Sequence, residues 1–289
     1  MNDNSIVFLN SEFVPLNEAK ISVMDRGFLY GDGIFETLRA YDGKIFKLQE
    51  HLERMRRTAS ALQLPFPQTQ MELANIIAIL LEKNDLQDAI VRITLTRGVS
   101  DHGILIGDNP PTLVLFARPV SEIAFHETGV SVVLVADGIS ALPGMTQGIK
   151  SCNFLSNIIL REYARQRGAF EGIGLDAKER LTEGSISNVF LVKEGILKTP
   201  GLNAFILPGI TRQTVLEIAE GLDIETMETE LTAELLYDAD EVFIVNTGWE
   251  IMPVVEADGK RIGSGAQGPL TRGIREGYRK IIEGLNNPC

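Results

Sequence analysis

Apolar and polar positions change period several times along the chain, and each change predicts an element. Ser5–Asn10 reads as extended. Gly33–Tyr41, the turn Tyr41-Asp42-Gly43 and Lys44–Lys47 predict a hairpin, because Asp-Gly tolerates the positive φ of a tight primed turn. The spacing then moves to three and four: Leu52, Met55 and Leu62 predict a helix over 48–63, and a second amphipathic pattern predicts one over 70–83. β-Branched and apolar runs at Ala89–Thr96 and Thr112–Phe116 predict buried strands. Ala117–Glu127 carries Pro119 and loses its period, which suggests a connection. The expected organisation is therefore an N-terminal α/β domain over 1–118, an interdomain linker over 119–127 and a C-terminal α/β domain over 128–289. In the last of these the pattern predicts strands at Val130–Val135 and near 171–176, 188–192, 195–198, 240–245 and 252–256. Helices are expected over 154–166, 211–221 and 269–284. No repeat or low-complexity tract interrupts this order.

Composition narrows the function. Of 289 residues, 44% are hydrophobic and 23% charged, the balance of a globular chain with a sizeable core. The longest apolar stretch, Ile76–Leu81, is far short of the ~20 residues a bilayer crossing needs, so no membrane span is expected. The start Met-Asn-Asp-Asn-Ser lacks a basic, then apolar, secretory pattern, and the cytoplasm is the expected location. A net charge of −12 argues against a nucleic-acid partner, which needs a concentrated basic surface. Two cysteines, Cys152 and Cys289, and three histidines lack metal-ligand spacing, so no metal site is expected. Within the basic cluster Arg54, Arg56, Arg57, the pattern reads Arg56 and Arg57 as a solvated helix face.

Pro208-Gly209-Ile210-Thr211-Arg212 precedes a helical pattern and places Ile210 and Thr211 at a helix N-terminus. There, amides lacking intrahelical partners and the positive end of the dipole favour an anion. Alone the motif is equally a plain helix start. It lies at the end of a longer pattern: Leu181-Thr182-Glu183-Gly184-Ser185-Ile186-Ser187-Asn188-Val189-Phe190, then Leu197 and Thr199, then Leu207-Pro208-Gly209-Ile210-Thr211-Arg212. This closely resembles the signature of the class IV aminotransferases, the fold-type IV pyridoxal 5'-phosphate (PLP) enzymes, and so many set positions make it specific. Asp25–Thr37 resembles the family's N-terminal motif. His51-Leu52-Glu53-Arg54 is similar to its His-x-x-Arg helix, Gly148–Asn153 to its lysine segment, and Asn246-Thr247-Gly248-Trp249-Glu250 with Pro253 to its last cofactor loop.

The resemblance implies an α/β, two-domain fold-type IV enzyme with PLP in the cleft between domains, the C-terminal domain binding the cofactor. It implies that Lys150 carries PLP as a Schiff base and moves the proton between Cα and the cofactor. An amine does this once imine formation and a desolvated cationic setting lower its pKa. It implies Glu183 at the pyridine nitrogen, and the phosphate on Arg54, the Ile210 and Thr211 amides and Thr247. A homodimer is implied as well, with Tyr30 and the loop at Asp101–Ile104 reaching toward the other copy's pocket.

For the reaction, the family offers transamination of branched-chain L- or of D-amino acids against a 2-oxo acid such as 2-oxoglutarate or pyruvate, or lysis of 4-amino-4-deoxychorismate to 4-aminobenzoate and pyruvate. Phe35-Glu36-x-x-Arg39 resembles the branched-chain enzymes, but Thr37 stands where they usually carry Gly. After Thr96-Arg97-Gly98 comes Val-Ser-Asp-His102, without the usual Arg-x-His trap of the D-amino-acid enzymes, so Arg39, Arg92 or Arg97 is left to meet a carboxylate. Thr37, Arg92 and His102 match what the lyases tend to carry. Gly248 and Trp249 are candidates for the pocket wall, with a core tryptophan as the other reading. Transamination is the preferred activity, the lyase the alternative, and a binding protein that has lost its chemistry the remote one.

Overall fold

The computed structural model describes residues 4–120, 128–136, 148–204 and 206–286. The chain divides into two compact units, one of residues 1–121, 149–153 and 285–289, the other of 122–148 and 154–284.

In the first unit β1 (Ile6–Leu9), β2 (Glu12–Pro15), β3 (Gly33–Tyr41), β4 (Lys44–Ile45), β5 (Ala89–Thr96) and β6 (Thr112–Pro119) form one sheet in the order β2-β1-β6-β5-β3-β4. Every pairing in it is antiparallel. The predicted Asp-Gly hairpin is present: Tyr41 pairs with Lys44, and Asp42 and Gly43 take φ of 48° and 74°, the mirror-image turn that suits twisted strands. The short helix α1 (Arg26–Tyr30), capped by the Asp25 side chain, was not legible in the sequence pattern, because its five residues are little more than one turn and show no period. Helices α2 (Leu48–Ala61) and α3 (Gln70–Lys83) lie close to the bounds their periodicity predicts, α3 starting at a Thr69/Glu72 capping box. Their apolar stripes, Leu52 and Met55 on one and Leu73, Ile77 and Leu80 on the other, share a core with Leu38, Ala40, Val91 and Ile93 of the sheet.

The second unit holds β7 (Val130–Ala136), α4 (Leu155–Gln166), β8 (Glu171–Leu175), β9 (Leu181–Gly184), β10 (Asn188–Lys193), β11 (Ile196–Pro200), α5 (Ile210–Gly221), β12 (Thr226–Thr229), α6 (Ala233–Tyr237), β13 (Glu241–Asn246), β14 (Glu250–Ala257), β15 (Lys260–Arg261) and all but the last two residues of α7 (Pro269–Asn286). The sheet order is β12-β11-β10-β13-β14-β7-β8-β9, with β15 on β14. It is mixed: β14, β7 and β8 run parallel, as do β11 and β12, and the remaining pairs are antiparallel. Parallel neighbours need a long crossover, and the one from β7 to β8 carries the lysine segment and then α4. Strands β9 and β12 and helix α6, four to five residues each, escaped the sequence pattern for the same reason as α1.

The domain bounds expected from sequence change in one respect that matters. Residues 149–153 do not belong to the unit that contains α4: the Phe35 N–H donates to the Lys150 carbonyl at 3.0 Å and the Cys152 N–H to the Gly33 carbonyl at 2.8 Å. Backbone pairing to β3, which no side-chain pattern reveals, takes the lysine segment into the first unit. Of the expected linker, residues 121–127 lie outside the described residues.

Candidate active site

Along β3, Phe35, Thr37 and Arg39 alternate with Ile34, Glu36 and Leu38, so the two sets face opposite sides of the sheet. Thr37 is paired directly with Arg92 on β5. The Lys150 Nζ lies 4.6 Å from the centroid of the Phe35 ring, and the Arg92 guanidinium 3.8 Å from the same ring. Phe35, Thr37, Arg39 and Arg92 thus share a face, and the lysine stands over its first member. A cation over an aromatic face is attracted by the ring quadrupole, so Phe35 holds both positive groups in place. Arg92 donates Nε to Thr94 Oγ1 at 3.2 Å, and burial pulls its pKa below the usual arginine value. Arg39 instead stacks on Tyr41 at 4.7 Å and reaches Asp88 at 3.8 Å.

The other face of β3 meets α2. Arg54 donates Nε and Nη2 to the two Glu36 oxygens at 2.8 and 2.7 Å, and His51 Nδ1 lies 2.8 Å from Oε2. All three side chains are buried. Burial opposes ionisation of Glu36, yet the Arg54 charge and the hydrogen bonds from His51 and Arg54 overcome it and hold the carboxyl at about 2. Burial pushes the His51 pKa below its ordinary value, against the pull of Glu36. The ring is therefore neutral, with Nδ1–H donating. Glu36 and His51 stand in sequence motifs that assign them no role. Their role is visible only once β3 and α2 pack, because Glu36 is the one charged residue on the apolar face of its strand.

Two expected substrate residues are not brought to this face. Arg97 is 3% exposed and fully engaged: Nε donates to Asp32 at 2.8 Å, Nη1 to the Gln63 carbonyl at 2.8 Å and Nη2 to the Leu62 carbonyl at 2.9 Å. It closes the end of α2, where all three of its side-chain nitrogens already have partners. His102 sits on an exposed loop beside Asp101, 3.5 Å away, with a side chain 60% exposed. That loop is held from below by Arg26, whose Nε donates to Asp32 at 2.7 Å and whose guanidinium donates to the carbonyls of Gly103, Ile104 and Leu105. Turning those carbonyls inward leaves the Ile104 and Leu105 side chains exposed. The same guanidinium lies 5.3 Å from the Tyr30 ring, so one arginine serves both the loop and α1.

In the second unit Glu183 closes β9. Its Oε2 accepts from the Leu207 N–H at 2.9 Å and from Asn188 Nδ2 at 3.3 Å, and Asn188 also donates to the Leu207 carbonyl at 3.1 Å. The carboxylate is thus oriented by the protein alone. Gly209, the N-cap of α5, permits this packing: a Cβ there would lie 2.1 Å from Asn188 Oδ1. No side chain caps α5, so the amides of Ile210 and Thr211 open a helix start suited to an anion. Asn188 pairs with Val245, which brings the turn after β13 beside this start. There Asn246 Oδ1 accepts from the Gly248 and Trp249 amides at 2.9 and 2.7 Å, fixing the turn that carries Thr247. The Trp249 indole packs on Phe170 at 4.7 Å, against the second core, with Arg161 4.9 Å from its ring. Trp249 is partly buried, with its ring against the second core.

The first unit offers a lysine beside an arginine on one aromatic ring, and the second a pre-oriented carboxylate and an uncapped helix start; in kind, these residues fit the lysine anchor, ring nitrogen and phosphate of PLP. The model of the family described as "Amino-transferase class IV" matches residues 33–257, and the chain belongs to that family of PLP enzymes, with its fold-type IV architecture. The chain is 41% identical over 283 residues to a D-alanine aminotransferase of Staphylococcus haemolyticus, covering 96% of this chain and 98% of the relative. Among solved structures, the branched-chain amino acid aminotransferase of Escherichia coli matches with a TM-score of 0.93 and 31% identity, covering 96% of this chain and 95% of that one. The branched-chain aminotransferase of Thermoproteus uzoniensis, solved with norvaline, matches with a TM-score of 0.91 and 34% identity over 98% and 96%. No helix of the described residues is long and apolar enough to cross a membrane.

Proposed function

We propose that the protein is a PLP-dependent aminotransferase that moves an amino group from a branched-chain L-amino acid or a D-amino acid to 2-oxoglutarate or pyruvate. The observation that carries this reading is the shared seat of Lys150 and Arg92 on Phe35: a guanidinium stands one aromatic ring from the lysine, on the face that also carries Thr37. A guanidinium so placed binds a substrate carboxylate with geometric definition. PLP, when bound, draws off the electron pair left at the substrate Cα. Lys150 anchors the cofactor and moves the Cα proton, and Glu183 holds the ring nitrogen protonated. Arg54, the Ile210 and Thr211 amides and Thr247 take the phosphate.

The same reading makes the protein a homodimer. Phe28, Ile104 and Leu105 are 67, 80 and 70% exposed in the first unit, and Ile158 and Ile159 of α4 are 58 and 60% exposed in the second, which a second copy would cover. Sedimentation reads it directly; a monomer at micromolar concentration overturns it. A cytoplasmic setting fits the partly buried free thiol of Cys152.

A half-reaction screen tests the activity by following the absorbance of lysine-bound PLP against L-amino acids, D-amino acids and 4-amino-4-deoxychorismate. Bleaching by one class of amino acid, reversed by a 2-oxo acid, is expected. The lyase reading keeps one supporting observation, the direct Thr37–Arg92 pair. Release of 4-aminobenzoate and pyruvate without any amino-acid half-reaction would decide in its favour.

A further inference from the structure

The loop that comes after Glu183 is bound to a buried carboxylate of no assigned role. Glu171, on β8, is 0% exposed. Its Oε1 accepts from its neighbour's Gly172 N–H at 2.8 Å, from Ser185 Oγ at 2.6 Å and from the Ser185 N–H at 3.3 Å, while Oε2 accepts from Ser187 Oγ at 3.3 Å. Arg161 of α4 supplies the counter-charge, Nη1 to Oε1 at 3.4 Å, and its guanidinium lies 4.8 and 4.9 Å from the rings of Phe170 and Trp249. One turn earlier on the same helix face, Asn157 donates to the Ser185 carbonyl at 2.7 Å. The turn is tight, with the Gly184 N–H on the Ser187 carbonyl at 2.7 Å. A Cβ on Gly184 would lie 2.1 Å from Ser187 Oγ and 3.2 Å from Glu171 Cγ, so the loop is pressed onto the carboxylate without spare room.

A buried carboxylate is costly unless fully hydrogen-bonded, and three of the four hydrogen bonds it accepts come from one four-residue turn. That turn joins Glu183 to Asn188, the residue that orients the Glu183 carboxylate. The guanidinium that neutralises Glu171 also touches Trp249, whose amide belongs to the Thr247 turn. We propose that Glu171, acting through Ser185 and Ser187 and paired with Arg161, is a positioning residue that fixes Glu183 against the cofactor's ring nitrogen and ties the Glu183 loop to the Thr247 loop. The inference rests on the assignment of Glu183 to PLP.

The test compares wild type, Glu171→Gln and the double variant Ser185→Ala/Ser187→Ala as full chains. PLP affinity is measured by titrating cofactor into the stripped protein, and the pH midpoint of the lysine-bound PLP absorbance and the split between kcat and KM are then read from the loaded enzyme. Both variants are expected to bind PLP about tenfold more weakly, to shift that midpoint, and to lose about tenfold in kcat with the KM for the amino donor little changed. The double variant keeps Glu171 and its counter-ion, so it carries the test should Glu171→Gln fail to fold. Folded variants with wild-type affinity, midpoint and kcat would overturn the positioning role. A wild type that takes up no PLP would overturn the cofactor assignment, and the inference with it.

Discussion

Arg54 grips Glu36 as a two-pronged fork, Nε on Oε1 at 2.8 Å and Nη2 on Oε2 at 2.7 Å, with both side chains at most 5% exposed. This bond pins the arginine expected to meet the cofactor phosphate to the strand whose opposite face carries Phe35. The phosphate side chain and the cofactor lysine's ring support are thereby referred to one strand.

The fork sets the acid limit of stability. Glu36 has its pKa lowered from 4.5 to about 2 in the folded chain, so its contribution is present above 4.5 and is lost as pH falls toward 2. Integrated over that interval it amounts to roughly 3 kcal/mol. His51, whose pKa is lowered by burial, acts in the same direction from 6.5 downward, because the unfolded chain takes up its proton first. Chemical denaturation is expected to show stability falling from pH 6.5 into acid, and Glu36→Gln to flatten the part below pH 4.5 while lowering stability at neutral pH. An unchanged acid limb would contradict the pairing.

Arg92 and Arg97 are expected to separate by readout. Arg97→Met removes hydrogen bonds to Asp32 and to the Leu62 and Gln63 carbonyls and is expected to cost about 3 kcal/mol of stability with KM values retained. Arg92→Met is expected to leave the thermal midpoint within a few degrees and to cut kcat/KM for a dicarboxylic 2-oxo acid about a hundredfold. Melting curves beside steady-state kinetics decide it, and an effect of Arg97→Met on KM alone would restore that residue to the substrate site.

Lys150→Ala is expected to abolish turnover and to leave PLP reducible by borohydride without covalent attachment. Mass spectrometry after reduction reads the outcome directly. Covalent labelling retained by the variant would move the anchoring role to another amine.

Glu183→Gln keeps the acceptor for the Leu207 N–H but loses the charge. The cofactor is expected to stay bound while kcat falls by roughly two orders of magnitude, the scale on which electrostatic tuning of a reacting group operates. Presteady-state decay of the lysine-bound PLP absorbance measures the chemical step, and a wild-type rate would remove Glu183 from it.

By itself the sequence determined the long elements and pointed to a candidate cofactor set. Period and turn chemistry are local, so α3, β5 and the Asp42-Gly43 hairpin fall where the residues alone place them. The candidate cofactor residues were legible because their motifs are contiguous: Glu183, Asn188 and Gly209–Thr211 lie in one signature, and Lys150, Arg54 and Thr247 in short segments of their own. Tertiary structure alone decided which partners each side chain found. Arg97 and Arg92 are two arginines on or beside the same strand, and only packing gave one the carbonyls at the end of α2 and the other the ring of Phe35. Trp249 found Phe170 and Arg161 for the same reason, and Glu171 became the buried anchor of a loop that begins thirteen residues beyond it only because β8 and β9 pair. Burial and hydrogen-bond satisfaction are properties of neighbours brought together by the fold, and the order of residues along a chain does not record them.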